Sequence, residues 1–284
     1  MLSALHTIET YPVDLAAPIF ARYPAMKFGH LDSVNHFADL LAPMALRMIA
    51  DAPATEAGWA LTSPPLQGLP CGANLVCHAL SGRLAEALPD GQAPHLEPIR
   101  VGGARLPIST ADEFAFYHEY SKLDVQTRQQ FHVKRQERVT YDLANFAGRR
   151  ALFVNDINVT GTQLGRITSL LRNAGARSLD VLLIVQVDRE IGLAFPQLEN
   201  EINTSRIAEF RDFVALLRDG EFEPTGKLIS RLLSHDAAQL AAILEALPAP
   251  KRRILYRAIL QEDIYGGKLF SERLQIAKRA ASGE

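Results

Sequence analysis

Apolar residues change spacing repeatedly along this chain, and the changes mark its elements. Ala151-Leu152-Phe153-Val154 is a continuous apolar run, as expected of a strand covered on both faces of a parallel sheet. It ends in the polar pair Asn155-Asp156, and Ile157-Asn158-Val159 leads into the turn Thr160-Gly161-Thr162. A helix is predicted from Gln163 to Asn173, stopped by Gly175. Leu179 to Val187 is a second strong strand. Upstream, Val34, Phe37, Leu41, Ala45 and Met48 make one helical stripe that opens at Asp32 or Ser33 and ends before Pro53. Trp59 to Ser63 reads as a short strand, followed by a Pro- and Gly-bearing loop to Pro70 and a helix from about Gly72 to Leu88. Leu96 to Val101 is a weaker strand, suited to a sheet edge because Pro98 cannot donate a ladder hydrogen bond.

Prolines 12, 18 and 24 predict an irregular lead-in over Tyr11 to His30. After Asp188 no strand signal recurs. Ile207, Phe210, Val214 and Leu217 mark one helix. Leu240, Ile243, Leu244 and Leu247 mark another, capped by Ser234 or Asp236 and ended by Pro248. Ile254, Ile259, Leu269 and Ile276 continue the helical pattern. The expected organisation is a cap with a first helix (1–58), a core of alternating strands and helices (59–188) and an all-helical extension (189–284). The expected fold class is α/β, a parallel sheet flanked by helices.

Charge and composition narrow the partners. Thirty basic against 32 acidic residues give a net charge of −2, so no globally basic nucleic-acid footprint exists and any anion site must be local. Nucleic acid stays open as a partner without a feature that supports it, and so does a homodimer. Two cysteines, Cys71 and Cys77, are too few for a disulfide framework and wrongly spaced for a CxxC motif. No apolar run approaches the roughly 18 residues of a membrane span, and Glu9 and Asp14 interrupt the start, so the expectation is a cytoplasmic protein without a membrane partner.

The candidate chemistry gathers at the strand end near Asp156. Thr160 to Thr162 offers successive backbone N–H groups, two hydroxyls and a helix N-terminus, the makings of a phosphate cradle. Between Lys122 and Arg138, five basic residues (Lys122, Arg128, Lys134, Arg135, Arg138) against Asp124 and Glu137 give a local charge of +3, suited to a lid over a diphosphate. Other motifs carry less. His78, His118 and His132 lack metal-ligand partners at useful spacing. Gly220 to Lys227 fails as a P-loop because five residues separate its glycines and Leu228 stands where Ser or Thr is required. Lys251-Arg252-Arg253 reads as well as a helix surface as it does as a nucleic-acid contact.

Val154-Asn155-Asp156-Ile157-Asn158-Val159-Thr160-Gly161-Thr162 resembles the phosphoribosyl-diphosphate signature of type I phosphoribosyltransferases. Thr127, Gln130, Val133 and Arg138 keep the spacing of a segment that precedes that signature in the ComF-like branch. Tyr141 stands after that segment where the branch usually has an Asn, and Gly72-Ala73-Asn74 resembles that branch's Gly-Phe-Asn, with Cys71 where an Arg is usual. The resemblance covers about Trp59 to Asp188. It implies a phosphoribosyltransferase-like core that binds 5-phosphoribosyl diphosphate or a nucleotide and moves phosphoribose to or from a nitrogenous acceptor. By that resemblance Asn155 and Asp156 face the ribose hydroxyls, and Ile157, Asn158, Val159, Thr160, Gly161 and Thr162 wrap the 5-phosphate. The loop Ser63, Pro64, Gln67, Gly68 presents N–H groups to the pyrophosphate, and Lys122 to Arg138 forms a closing hood, with Lys122 and Arg128 catalytic and Arg138 on the substrate. Mg²⁺ would be held mainly by the diphosphate, with Asp156 beside it. One departure matters: Asn155 replaces the first acid of the family's pair, removing one charge at a position where one counter-charge is commonly worth about 3 kcal/mol. The alternative readings are a non-catalytic nucleotide or phosphoribosyl-diphosphate sensor whose helical extension relays binding, and a ComF-like accessory protein in DNA uptake or stress handling.

Overall fold

The computed structural model describes residues 1–52, 58–66, 68–103, 105, 107–118, 140–207 and 209–283. Its centre is a five-stranded, wholly parallel sheet built from β1 (Leu2–Ile8), β2 (Trp59–Thr62), β3 (His95–Leu96), β6 (Arg150–Asn158) and β7 (Ser178–Val187), in the order β1-β7-β6-β2-β3. Two further short strands, β4 (Arg100–Gly102) and β5 (Thr140–Asp142), make a separate antiparallel pair. The fold is thus α/β, a parallel sheet flanked by helices and followed by an all-helical stretch.

Alternation along β6 sorts its side chains between the two faces. Leu152 and Val154 join a core with Val34, Phe37, Leu41, Leu80 and Leu84, contributed by α2 (Leu31–Ala50) and α3 (Gly72–Ala87). Ala151 and Phe153 join a second core with Phe146 and with Ile167 and Leu171 of the helix Thr162–Asn173. The chain therefore leaves β2 toward one face, through α3, and leaves β6 toward the other. β2 and β6 lie side by side, so the topological switch point falls between their carboxyl ends, where open α/β sheets bind ligands.

Three expectations are corrected. Leu2 to Ile8, not singled out from the sequence, is an edge strand paired with β7; its mixed, half-exposed pattern lacks the apolar run of a central strand. Leu96 to Val101 is not one strand: His95–Leu96 closes the main sheet, and Arg100–Gly102 turns away to pair with Thr140–Asp142. The strand carrying the signature does not end at the polar pair but runs on to Asn158.

From Phe210 onward the described chain is helical, with Phe213, Leu217, Leu228, Leu232, Leu240, Leu255 and Phe270 in one core that also takes in Phe28. Asp236, not Ser234, caps its helix, accepting from the Gln239 N–H. Lys251 is buried and donates to the carbonyls of Leu217, Arg218 and Gly220, where a helix ends and its dipole favours a cation. The failed P-loop also has a structural role: Thr225 accepts from Leu228 N–H as an N-cap while its hydroxyl donates to the Lys27 carbonyl.

Candidate functional site

β2 ends at Thr62, opposite Phe153, whereas β6 stays paired with β7 as far as Asn158 opposite Gln186. Val154 to Asn158 therefore extends past its β2 neighbour by about 16 Å at the usual rise per residue. That step lies at the switch point of the sheet. The loop after β2 is tied down. Asn74 donates to Ser63 Oγ (2.9 Å) and the Pro64 carbonyl (2.7 Å) and accepts from the Cys71 N–H at the start of α3 (2.7 Å). The Asn74→Ala variant is expected to lose about 1 kcal/mol, the usual worth of a helix cap. The urea midpoint followed through Trp59, the single tryptophan, measures it.

At the end of β6 the chain turns through Gly161, whose φ of +77° lies in the left-handed region, directly into the helix Thr162–Asn173. The hydroxyls of Thr160 and Thr162 are hydrogen-bonded to each other at 2.9 Å. A helix start leaves its first N–H groups without intrahelical partners and carries the positive end of the dipole, so the turn is chemically an anion cradle. Among the described residues, and apart from its two chain neighbours, an added Cβ at Gly161 would meet no atom within 4 Å. β5 lies beside this helix: Arg166 donates to the Tyr141 hydroxyl, its guanidinium 5.7 Å over the Tyr141 ring.

Within the signature, neighbouring residues point to opposite faces. Asn155, 3% exposed, turns toward the cradle helix, donating to the Ile157 carbonyl (2.9 Å) and to Gln163 Oε1 (3.4 Å). Asp156, 6% exposed, turns toward α1 (Tyr23–Lys27) and meets Lys27: Nζ donates to Oδ2 at 2.5 Å, while Oδ1 accepts from the Ile157 N–H at 2.8 Å. Lys27 also faces Glu199 at 3.9 Å and lies 5.9 Å from the Tyr23 ring centroid. Burial pulls the lysine's proton affinity down, but the charges of Asp156 and Glu199 and the hydrogen bond to Asp156 outweigh it and hold Lys27 protonated well above the ordinary lysine range. The Tyr23 hydroxyl is buried without a hydrogen-bond partner among the described residues, and burial, then the charge of Asp156, keeps it un-ionised.

Ile157 and Val159 pack into the core, and Asn158 donates to Gln186 Oε1. Val159 is pressed from outside: an added Cβ at Gly192 would come 2.0 Å from its carbonyl oxygen. Gly68 sits against Arg105 and Glu262. Arg105 donates to Glu262 Oε1 at 2.6 Å, and Glu262 Oε2 accepts from the Leu69 N–H at 2.8 Å, so the C-terminal helices grip the end of this loop. Gln67 of the loop after β2 lies outside the described residues, as do Lys122, Arg128, Arg138 and the whole segment expected to form the hood. The structure ties Ser63 and Pro64 to Asn74 at the start of α3, places the turn at Thr160 to Thr162 at the start of the helix after β6, and sets against Asp156 the residues Lys27, Tyr23 and Glu199, which sequence reasoning passed over. A signal was present: a lysine inside the apolar run Tyr23 to Phe28 has to find a partner when that run is buried.

Burial, followed by the Asp156 charge, pushes the Cys71 thiol up to about 11, and burial pushes Cys77 to about 12. Cys71 is expected to alkylate about two orders of magnitude more slowly than an ordinary thiol near pH 8. Asp156→Asn removes a negative charge that disfavours the thiolate, so iodoacetamide labelling followed by mass spectrometry should run faster in that variant.

The Mg²⁺ implied by the resemblance does not fit the donors at Asp156. Both carboxylate oxygens are engaged, one by an ammonium group, and the neighbouring Asn155 faces away. Among the described residues no group of three or more His, Cys, Asp or Glu could hold a metal ion. No helix among them is long and apolar enough to cross a membrane.

No protein-family model and no curated protein matches the sequence. Among solved structures, the chain is similar to a hypoxanthine phosphoribosyltransferase from Staphylococcus aureus, at 15% identity and a TM-score of 0.31. The likeness spans 53% of this chain and 62% of that one, under two thirds of the enzyme's length. A likeness this distant assigns neither ligand nor reaction.

Proposed function

We propose that the protein binds 5-phosphoribosyl diphosphate, or a nucleotide with the same 5-phosphate, and acts as a phosphoribosyltransferase on a nitrogenous acceptor. The observation that carries this reading is the left-handed Gly161 turn opening a helix at the switch point between β2 and β6. The helix start would take the 5-phosphate, and the loop from Ser63 would lie toward the diphosphate end. In the reaction the bond from ribose C1 to the diphosphate oxygen breaks, its electron pair leaving with pyrophosphate. The acceptor nitrogen's lone pair forms the new C1–N bond and the nitrogen gives up a proton.

A second reading, binding without turnover, is favoured by the state of the polar pair. Positive charge building on the ribose is eased by an uncompensated carboxylate nearby. Here Asn155 is neutral and Asp156 is already matched by Lys27. Calorimetric titration with phosphoribosyl diphosphate, run beside a pyrophosphate-release assay over a panel of bases, separates the readings. Heat of binding with pyrophosphate release supports the transferase, binding without release supports the second reading, and no binding contradicts both.

A further inference from the structure

Lys27 holds a position that no signature motif assigns. It comes from the cap, 129 residues away from Asp156 in sequence, yet its ammonium is the direct partner of Asp156. It is held from three sides. Thr225 of the C-terminal helices donates to its backbone carbonyl at 2.9 Å. Gly72, at the start of α3, packs so closely that an added Cβ would lie 3.2 Å from the Lys27 Cα. Phe28, the next residue, is buried in the core of the C-terminal helices. A side chain so anchored behaves as a fixed charge, not as a mobile surface lysine.

We propose that Lys27 is a built-in cation of the site, standing against Asp156 where a divalent ion would otherwise bind, so that the protein itself is not a metal ligand there. This rests on the phosphoribosyl-binding reading only for what the charge is used for. An ammonium fixed against Asp156 supplies positive charge without a metal and leaves any Mg²⁺ to travel on the diphosphate. The cluster is also more than an isolated pair: Glu199 faces the same ammonium, and the buried Tyr23 hydroxyl beside it has no hydrogen-bond partner among the described residues. The C-terminal helices gain a role as well, since they hold the backbone of the residue that carries the charge.

The test uses Mn²⁺ alone, with no phosphoribosyl ligand, and reads free metal by electron paramagnetic resonance. The full chain and its Asp156→Asn variant are expected to bind Mn²⁺ with the same weak affinity. Lys27→Met, its folding checked by circular dichroism, is expected to bind at least about ten-fold more tightly, because a unit positive charge has left a poorly screened site. That gain should vanish in Lys27→Met/Asp156→Asn. The proposal is overturned if Asp156→Asn weakens Mn²⁺ binding relative to the unaltered chain, or if folded Lys27→Met gains no Asp156-dependent site. The first comparison stands even if the Lys27 variant fails to fold. Because no sugar phosphate is present, the outcome is independent of whether phosphoribosyl diphosphate binds at all.

Discussion

Lys27→Ala is expected to lower the unfolding free energy by about 3–5 kcal/mol, the usual consequence of removing one partner from a buried ion pair. The cost comes from what remains: Asp156, 6% exposed, keeps a charge whose only described cationic partner has gone. Lys27→Met/Asp156→Asn removes both charges while keeping volume, and should recover most of the loss, since buried pairs often exchange for neutral groups of similar shape at little net cost. Urea unfolding followed through Trp59 reads both variants. With a slope of about 2–3 kcal/mol per molar, Lys27→Ala should shift the midpoint by roughly 1–2 M. A shift under a quarter of that would mean that the pair is solvated in solution.

The same pair predicts a pH dependence. The folded-state affinity of Lys27 for its proton is raised above the ordinary lysine value of 10.5, with Asp156 and Glu199 outweighing the effect of burial. A raised value on a base contributes stability that is fully present below the unfolded pKa and is lost as pH rises through the folded one. The stability difference between the unaltered chain and Lys27→Met should therefore hold steady from neutral pH to about 10 and shrink only in more alkaline solution.

Gly161→Asp is expected to weaken binding of phosphoribosyl diphosphate by about 100-fold or more, equivalent to roughly 2.7 kcal/mol. The position tests charge more cleanly than fold. Its φ of +77° is one that Asn and Asp adopt more readily than other side chains, and among the described residues no atom outside its chain neighbours lies within 4 Å of an added Cβ. Backbone strain of about 1–2 kcal/mol is the expected structural cost for either residue. Gly161→Asn pays the same strain without the charge and should keep binding within about ten-fold, so the gap between the two variants isolates repulsion between a carboxylate and the ligand phosphate. Equal losses in both would show that backbone shape, not anion binding, is what the turn supplies.

Much of the central sheet could be read directly from residue patterns. Ala151 to Val154 and Leu179 to Val187 are apolar because both faces are covered, and the helix after Thr160-Gly161-Thr162 starts at Thr162, one residue before its expected place. What escaped was set by partners distant in sequence. Leu2 to Ile8 is a strand because β7 offers it an edge, and its own pattern is that of a half-covered segment. The strand run of β6 through Asn158 depends on pairing with Gln186 of β7, which extends past β2. The opposite directions of Asn155 and Asp156 then follow from strand geometry, although as a pair in a turn they would have shared one face. Lys27 was the least legible residue, since its role is fixed by a contact across 129 residues and by the docking of Thr225 and Phe28. The turn at Thr160-Gly161-Thr162 was legible because its parts are contiguous; the ion pair at Asp156 was not, because its parts come from separate elements of the chain.

The central claim is that the turn at Thr160 to Thr162 holds the 5-phosphate of a phosphoribosyl ligand, and a crystal structure of the full chain soaked with phosphoribosyl diphosphate tests it most directly. The predicted result is a 5-phosphate within hydrogen-bond distance of the N–H groups at the start of the helix Thr162–Asn173, with the ribose toward Asp156 and Lys27 still on its carboxylate. A 5-phosphate bound elsewhere on the protein, with this turn unoccupied, would contradict it.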